Sequence, residues 1–350
     1  MKVLVLGGSG HFGSRICRRL ESVPDIEVIA PSHSAVDIGS SNLAATFGRL
    51  APDVVLHAAG PFQEQDYAVA RACIDAGCHY VDLADGREFV TNFSHLDTDA
   101  RAAGVTLVSG ASTLPGISST VVEESRSEFG KIDIVETSIA PAHQTPRGVG
   151  TVKAVLSYCG QSFTTLRDGR WDTVYGWQDL RSQRYPGFRH RLSAACDVPD
   201  LELLPMYFPE LRTATFHAAL EACWEQLALW MMAWFTRLRI VRDWAGFATI
   251  FASFSQRLIG LGSDRGGMHV RIGGLGMDGR RIRRDWYIFA GENHGPEIPC
   301  TPSIIVTKKL LSGELSDRGA AACWNLFSID ELLDELKDFD ISVQEFSIDV

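Results

Sequence analysis

The chain has 350 residues, enough for two domains with well-buried cores. Its 45% hydrophobic and 22% charged residues are ordinary for a soluble globular protein. A net charge of −10 argues against general affinity for nucleic acid or anionic membranes. The eight cysteines are scattered with no Cys-x-x-Cys pair, which predicts reduced thiols, a cytoplasmic protein and no metal site. Lys2 precedes only four apolar residues, so no signal peptide is expected.

The opening stretch predicts strand, glycine-rich turn and helix. Val3-Leu4-Val5-Leu6 is followed at once by Gly7-Gly8-Ser9-Gly10-His11-Phe12-Gly13, and then by a helical pattern with Ile16 and Leu20 on one side. Gly8-x-Gly10-x-x-Gly13 fits the dinucleotide fingerprint, in which glycines make a tight turn, admit a pyrophosphate and let helix pack on strand. Because a strand precedes it and a helix follows, the pattern reads as a nucleotide site rather than a plain turn. The N-terminus of the helix would offer N–H groups and a positive dipole end to phosphates.

Apolar runs then alternate with helical patterns, predicting a doubly wound parallel sheet. Strands are expected at Glu27–Ala30, Ala35–Ile38, Asp53–His57, His79–Leu83 and Val105–Ser109. Helices are expected over Ser41–Leu50, Asp66–Ala76 and Thr98–Ala103, the last two stopped by Gly77 and Gly104. The turn after the strand Asp53–His57, Ala58-Ala59-Gly60-Pro61-Phe62, would face the glycine turn across the crevice. Gly-Pro is a common loop dipeptide; as a functional reading, Ala59, Gly60 and Pro61 line the nicotinamide ribose and Phe62 lies against the ring or substrate.

An NAD site places an acidic residue about 20 positions past the glycines. Here that place reads Ala30-Pro31-Ser32-His33-Ser34, without a carboxylate, so NADP is favoured over NAD. Ser32 and His33, with Ser34 and Arg15, are the candidates for reading a 2′-phosphate.

Past Gly110 the pattern changes. Thr120-Val121-Val122-Glu123 resembles a capping box opening a helix to Phe129, and Ile132–Ala140 reads as a strand entering a second domain. Strand-like pieces lie near Thr151–Tyr158, with an aromatic loop over Trp171–Trp177. Residues 216–262 are the most apolar part of the chain. Leu220, Trp224, Leu227, Met231 and Phe235 fall at helical spacing, and the charge-free windows are too short to cross a bilayer, so no transmembrane segment is expected. The pattern reads as a buried or dimer-forming helix pair; a lid over an apolar substrate and a membrane-surface patch are the alternatives. Met268–Ile272 and Arg281–Ala290 form a hairpin around Asp278-Gly279, with its arginines on a solvated face. Thr301-Pro302 would cap a helix ended by Gly313, and Ser328-x-x-Glu331 a final one. Val343–Ile348 would close the chain as a strand. The domains are expected at residues 1–117, 118–312 and 313–350, the last packing back on the core.

Gly7-Gly8-Ser9-Gly10-His11-Phe12-Gly13, Ala58-Ala59-Gly60-Pro61-Phe62, the run Val69 to Gly77, and Tyr80-Val81-Asp82-Leu83-Ala84-Asp85 occur in order. Together they resemble the saccharopine dehydrogenase (reductase-like) oxidoreductases over residues 1–117. The resemblance implies a Rossmann domain binding NAD(P) and a second mixed α/β (α+β) domain, here with a helical apolar insertion. It also implies hydride transfer to or from an imine, amino-acid or carbonyl compound. Relative to saccharopine-forming enzymes a smaller substrate domain is expected, and a homodimer. A non-catalytic dinucleotide sensor, or a lipid-surface protein keeping the fold, is the alternative.

Hydride transfer needs a proton donor or acceptor within reach. By position at strand ends, Tyr80 and Asp82 are the first candidates, sharing one face of their strand. Asp82 could equally cap a helix. His143, Arg147 and His294 are further candidates for catalysis or substrate contact, against the plainer reading of surface-loop residues.

Overall fold

A computed structural model describes residues 1–32, 35–63, 65–188 and 190–349. The chain divides into two compact units, Met1–Thr120 with Pro296–Leu336, and Val121–Gly295 with Lys337–Val350. The first unit is therefore visited twice.

In chain order its first part runs β1 (Lys2–Leu6), α1 (Gly13–Glu21), β2 (Glu27–Ile29), α2 (Leu43–Leu50), β3 (Val54–His57) and α3 (Ala68–Ala76). It continues through β4 (His79–Asp82), α4 (Arg87–Thr91), α5 (Asp97–Ala103) and β5 (Thr106–Ser109). Helix α6 (Ser118–Ser125) leads onward. The second unit holds β6 (Phe129–Ala140), α7 (Val149–Ser157), β7 (Ser162–Arg167), β8 (Arg170–Tyr175), β9 (Arg181–Gln183), β10 (Arg191–Ala195) and α8 (Asp200–Tyr207). Then come β11 (Thr213–Ala218), α9 (Cys223–Arg237), α10 (Ala248–Leu258), β12 (Gly266–Gly276) and β13 (Arg281–Ala290). Helix α11 (Glu297–Ser312), β14 (Gly319–Ala322) and α12 (Ile329–Leu336) return to the first unit, and β15 (Ile341–Asp349) to the second.

The first unit is a six-stranded sheet ordered β14-β5-β4-β3-β1-β2, every neighbouring pair parallel. This is the doubly wound sheet expected. The strand order reverses between β1 and β3, whose carboxyl ends therefore flank the switch point where α/β sheets bind ligands. Val3, Val5 and Leu56 bury one face against Ile16, Cys17 and Leu20 of α1 and Cys300 and Ile304 of α11. Helices α2, α3 and α5 pack in succession as a further layer.

Ala35–Ile38 is not a strand. The N–H groups of Ala35 and Val36 donate to the Ser32 carbonyl at 2.9 and 3.1 Å, curling the segment into a turn. Thr120 does not cap a helix: α6 starts at Ser118, and the Thr120 hydroxyl donates back to the Gly116 carbonyl at 3.0 Å. Likewise α11 begins at Glu297, so Thr301 is interior and donates to the Glu297 carbonyl. At Ser328 the capping box forms reciprocally, Ser328 N–H to Glu331 Oε2 at 2.7 Å and Glu331 N–H to Ser328 Oγ at 3.1 Å.

The second unit is a mixed sheet ordered β15-β13-β12-β6-β11-β10-β9, with the β7–β8 hairpin attached at β11. Within it β6 and β11 run parallel and the other ladders are antiparallel. Two expectations fail here. Val149–Ser157 is a helix that buries Val152, Ala154 and Leu156 and packs against α10 instead of pairing in the sheet. Trp171 to Tyr175 lies in β8, turned back on β7 by Asp168 (φ 49°) and Gly169 (φ 81°), two left-handed residues of the kind a tight hairpin needs. The apolar segment also differs from a buried helix pair. Leu220 is buried, but Trp224, Leu227, Met231 and Phe235 are exposed.

Candidate functional site

The glycine turn is shaped by what a side chain would strike. Gly7 has φ 78°, and a Cβ there would lie 2.8 Å from the Ala59 nitrogen, so the β1 and β3 turns abut. At Gly8 a Cβ would meet the Ala30 Cβ at 2.6 Å, and at Gly13 the Gly7 carbonyl oxygen at 2.1 Å. Gly10 differs: among the described residues a Cβ there would come near only the Gly7 oxygen, at 3.1 Å, and it lies exposed beside Ser9 on the crest of the turn. Gly10 N–H closes the turn onto the Gly7 carbonyl at 2.8 Å, and α1 begins at Gly13 with no acidic side chain in its first turn. The early N–H groups of a helix have no intrahelical acceptor, and the dipole adds partial positive charge. This bare backbone crest fits the pyrophosphate of a dinucleotide.

His11 is half-buried, and burial first, then the Arg15 charge, holds its imidazole below its ordinary range. Arg15 Nη1 donates to the His11 carbonyl at 2.6 Å, and its Nε lies 3.1 Å from Glu297 Oε1. Arg15 is thus engaged with the glycine turn and with α11. Ser32 lies three residues past the end of β2 at Ile29, and Ala30-Pro31-Ser32 carries no carboxylate; His33 and Ser34 lie outside the described residues.

Beyond β3, Gln65 Nε2 donates to the carbonyls of Ala59 (2.7 Å) and Pro61 (2.9 Å), fixing the Ala59-Gly60-Pro61 turn. Sequence reasoning missed Gln65. Phe62 is buried, edge-on to His57 and tilted against Phe89. Tyr80 stacks on Phe93, and its hydroxyl lies 3.1 Å from His57 Nδ1. Burial lowers His57 to about 4, against a weaker upward pull from the Ala59 backbone, so its ring is neutral. Burial also drives the Tyr80 hydroxyl well above its usual range.

Asp82, at the end of β4, has no solvent exposure. Its Oδ1 accepts from Gly110 N–H (2.7 Å), Ala84 N–H (2.9 Å) and Ser109 Oγ (3.0 Å). Oδ2 is buried with no hydrogen-bond partner among the described residues. Burial raises the carboxyl to about 6, while those donors and, most weakly, the Tyr80 hydroxyl pull it down. Asp82 ties the turn after β4 to the turn after β5, where Gly110 has φ 75°.

In the second unit, His143 and Arg147 meet on one carboxylate: His143 Nδ1 lies 3.5 Å and Arg147 Nη1 3.6 Å from Glu225 Oε2. His143 is buried, with Nε2 2.9 Å from the Leu258 carbonyl. His294 accepts the Asp340 N–H at Nδ1 (2.9 Å) and packs edge-on to Phe339.

A larger polar cluster was not anticipated. On the second sheet Ser138 of β6 is in register with His217 of β11 and His269 of β12, and His269 with Tyr287 of β13. His269 Nε2 lies 2.8 Å from Asp285 Oδ1, which also accepts from Arg271 Nε at 2.8 Å. Burial works upward on Asp285, yet His269 and Arg271 hold it below the ordinary carboxylate range. Burial lowers His269, with Asp285 opposing. His269-Val270-Arg271 and Asp285-Trp286-Tyr287 alternate polar with apolar residues, the period-2 signal that marks one polar sheet face.

Residues 32–108 match the family model of the saccharopine dehydrogenase NADP binding domain. This part of the chain is similar to the nucleotide-binding domain of saccharopine dehydrogenases. The whole chain shares its fold, at 18% identity and a TM-score of 0.67, with apo saccharopine dehydrogenase (L-Glu forming) from Saccharomyces cerevisiae, over 99% of each chain. The smaller second domain expected from the sequence is thus not found, since the two chains match over nearly their whole lengths. Weaker likenesses are to an amine dehydrogenase from Mycobacterium smegmatis (10% identity, 93% and 95% covered, TM-score 0.44) and a Synechocystis biliverdin reductase (11%, 96% of each, 0.41). No curated protein matches the sequence.

Proposed function

We propose that this saccharopine dehydrogenase-like enzyme transfers hydride between NADP(H) and an imine, amino-acid or carbonyl compound. The observation that carries the reading is the exposed Gly10 crest at the start of α1, held by three glycines whose Cβ positions are filled by backbone or side chain. Gly7 to Gly13 would hold the pyrophosphate, and Ala59, Gly60 and Pro61 the neighbouring wall. Ser32 and the missing carboxylate after β2 support NADP over NAD. The nicotinamide, when bound, supplies or takes up the hydride.

Asp82 in this reading is a positioning residue rather than a proton donor, since its buried carboxylate fixes two strand-end turns. Titration with NADPH and NADH tests the site. Gly10→Asp should abolish NADPH binding in a folded protein by placing a carboxylate against the phosphates. Unchanged affinity would refute the assigned turn, and equal affinities for the two nucleotides would refute the NADP preference. A panel of imines, amino acids and carbonyl compounds with NADPH then tests turnover; tight binding with no turnover favours a dinucleotide sensor.

A further inference from the structure

Helices α9 and α10 present the wrong faces to water. Toward the interior α9 turns Glu225, Gln226, Met232, Ala233 and Thr236, and outward Trp224, Leu227, Met231, Trp234 and Phe235. In α10 the small Ala248 and Ala252 are buried, while Ile250 (67% exposed) and Phe254 face out, followed by Leu261 at 74%. A soluble helix normally buries its apolar stripe, and contiguous exposed patches of this kind mark interaction sites. The two faces are continuous, because Trp224 and Phe254 meet edge to face at 6.5 Å.

The charge on this segment opposes that of the chain. Residues 226–262 carry Arg237, Arg239, Arg242 and Arg257 against one acid, Asp243, and all four arginines are exposed. The chain as a whole has net charge −10. In a two-fold pairing the patch would meet its own copy and set these cations against each other. An anionic lipid surface offers acyl chains to the aromatic face and negative headgroups to the arginines. Among the described residues no helix is long and apolar enough to cross a membrane, so the fit is to helices lying in the interface.

We propose that the α9–α10 face docks on the surface of an anionic bilayer. The inference does not rest on the proposed reaction. The test is flotation of the full chain with vesicles of pure phosphatidylcholine and vesicles containing one-third phosphatidylglycerol. Binding to the anionic vesicles should be at least about tenfold tighter, and weakened by salt. Ile250→Glu with Phe254→Glu should abolish it, whereas Met277→Glu, an exposed change on the β12–β13 turn, should not. Absence of flotation with either vesicle, or equal binding to both, overturns the proposal. So does a stable dimer in light scattering that the Ile250/Phe254 variant converts to monomer, because a second copy then covers the face.

Discussion

His57 Nδ1 and the Tyr80 hydroxyl lie 3.1 Å apart between adjacent strands of the first sheet, both side chains sealed from solvent. Two residues along β4 from Tyr80, the Asp82 carboxyl is equally buried, and burial moves the two titrating groups, His57 and Asp82, in opposite directions.

That opposition predicts a pair of pH slopes. Asp82 is raised from 3.8 to about 6, so its contribution favours folding fully below pH 3.8 and is lost as pH rises to 6. His57 is lowered from 6.5 to about 4, so its contribution is present above 6.5 and lost as pH falls to 4. Each shift corresponds to about 3 kcal/mol. Relative to the parent, Asp82→Asn should gain stability as pH rises from 4 to 6.5, and His57→Gln should gain it as pH falls. Urea melts across that range check both; parallel curves would contradict the assignment.

The glycines of the first turn should separate folding from binding. A methyl at Gly13 would meet the Gly7 oxygen at 2.1 Å, backbone against backbone. Gly13→Ala should cost about 2 kcal/mol of stability. At Gly10 the nearest atom is 3.1 Å away, so Gly10→Ala should change stability by under about 0.5 kcal/mol. Thermal melts of the two variants give the comparison.

Glu297 joins Arg15 (3.1 Å) and Arg19 (3.6 Å) of α1 to α11, with its side chain 6% exposed. Glu297→Gln leaves two cations less well paired. Because the arginines keep some solvent, the expected loss is about 2 kcal/mol, below that of a fully buried pair. The urea midpoint should fall at unchanged slope.

Ser328→Ala removes half of the reciprocal cap on α12 and should cost about 1 kcal/mol. Glu331→Ala on the same background should cost less than it does alone, since each residue serves the other. A double-mutant cycle measures the coupling.

The first unit was largely legible because its signals are local. Apolar runs, Gly7 to Gly13, and the stops at Gly77 and Gly104 each act within a few residues, and both stop glycines adopt φ 70°. Strand β14 was not legible: Gly319-Ala-Ala-Ala has no strand propensity and is held by pairing with β5. The α7 segment misled through its valines, because packing against α10 overrode propensity. At the candidate site the backbone crest could be read from glycine spacing. The Asp82 latch could not, since its donors Ser109 and Gly110 stand 27 and 28 residues away. The exposed apolar face was visible as composition, but which side of each helix met water was set by the fold.

The return of the chain to its first sheet has a consequence for making the protein. The Thr106 hydroxyl donates to the Asp317 carbonyl 211 residues later, and β5 has β14 as its edge neighbour. A ribosome that has released only residues 1–120 has produced five of the six strands but neither α11, which covers Val3, Val5 and Leu56, nor the strand that shields β5. The nascent nucleotide fold must wait, with an open β edge and an uncovered apolar face, until the other unit has been synthesised. A fragment cut at Thr120 would carry the same bare edge, and edges of this kind recruit strands from other chains.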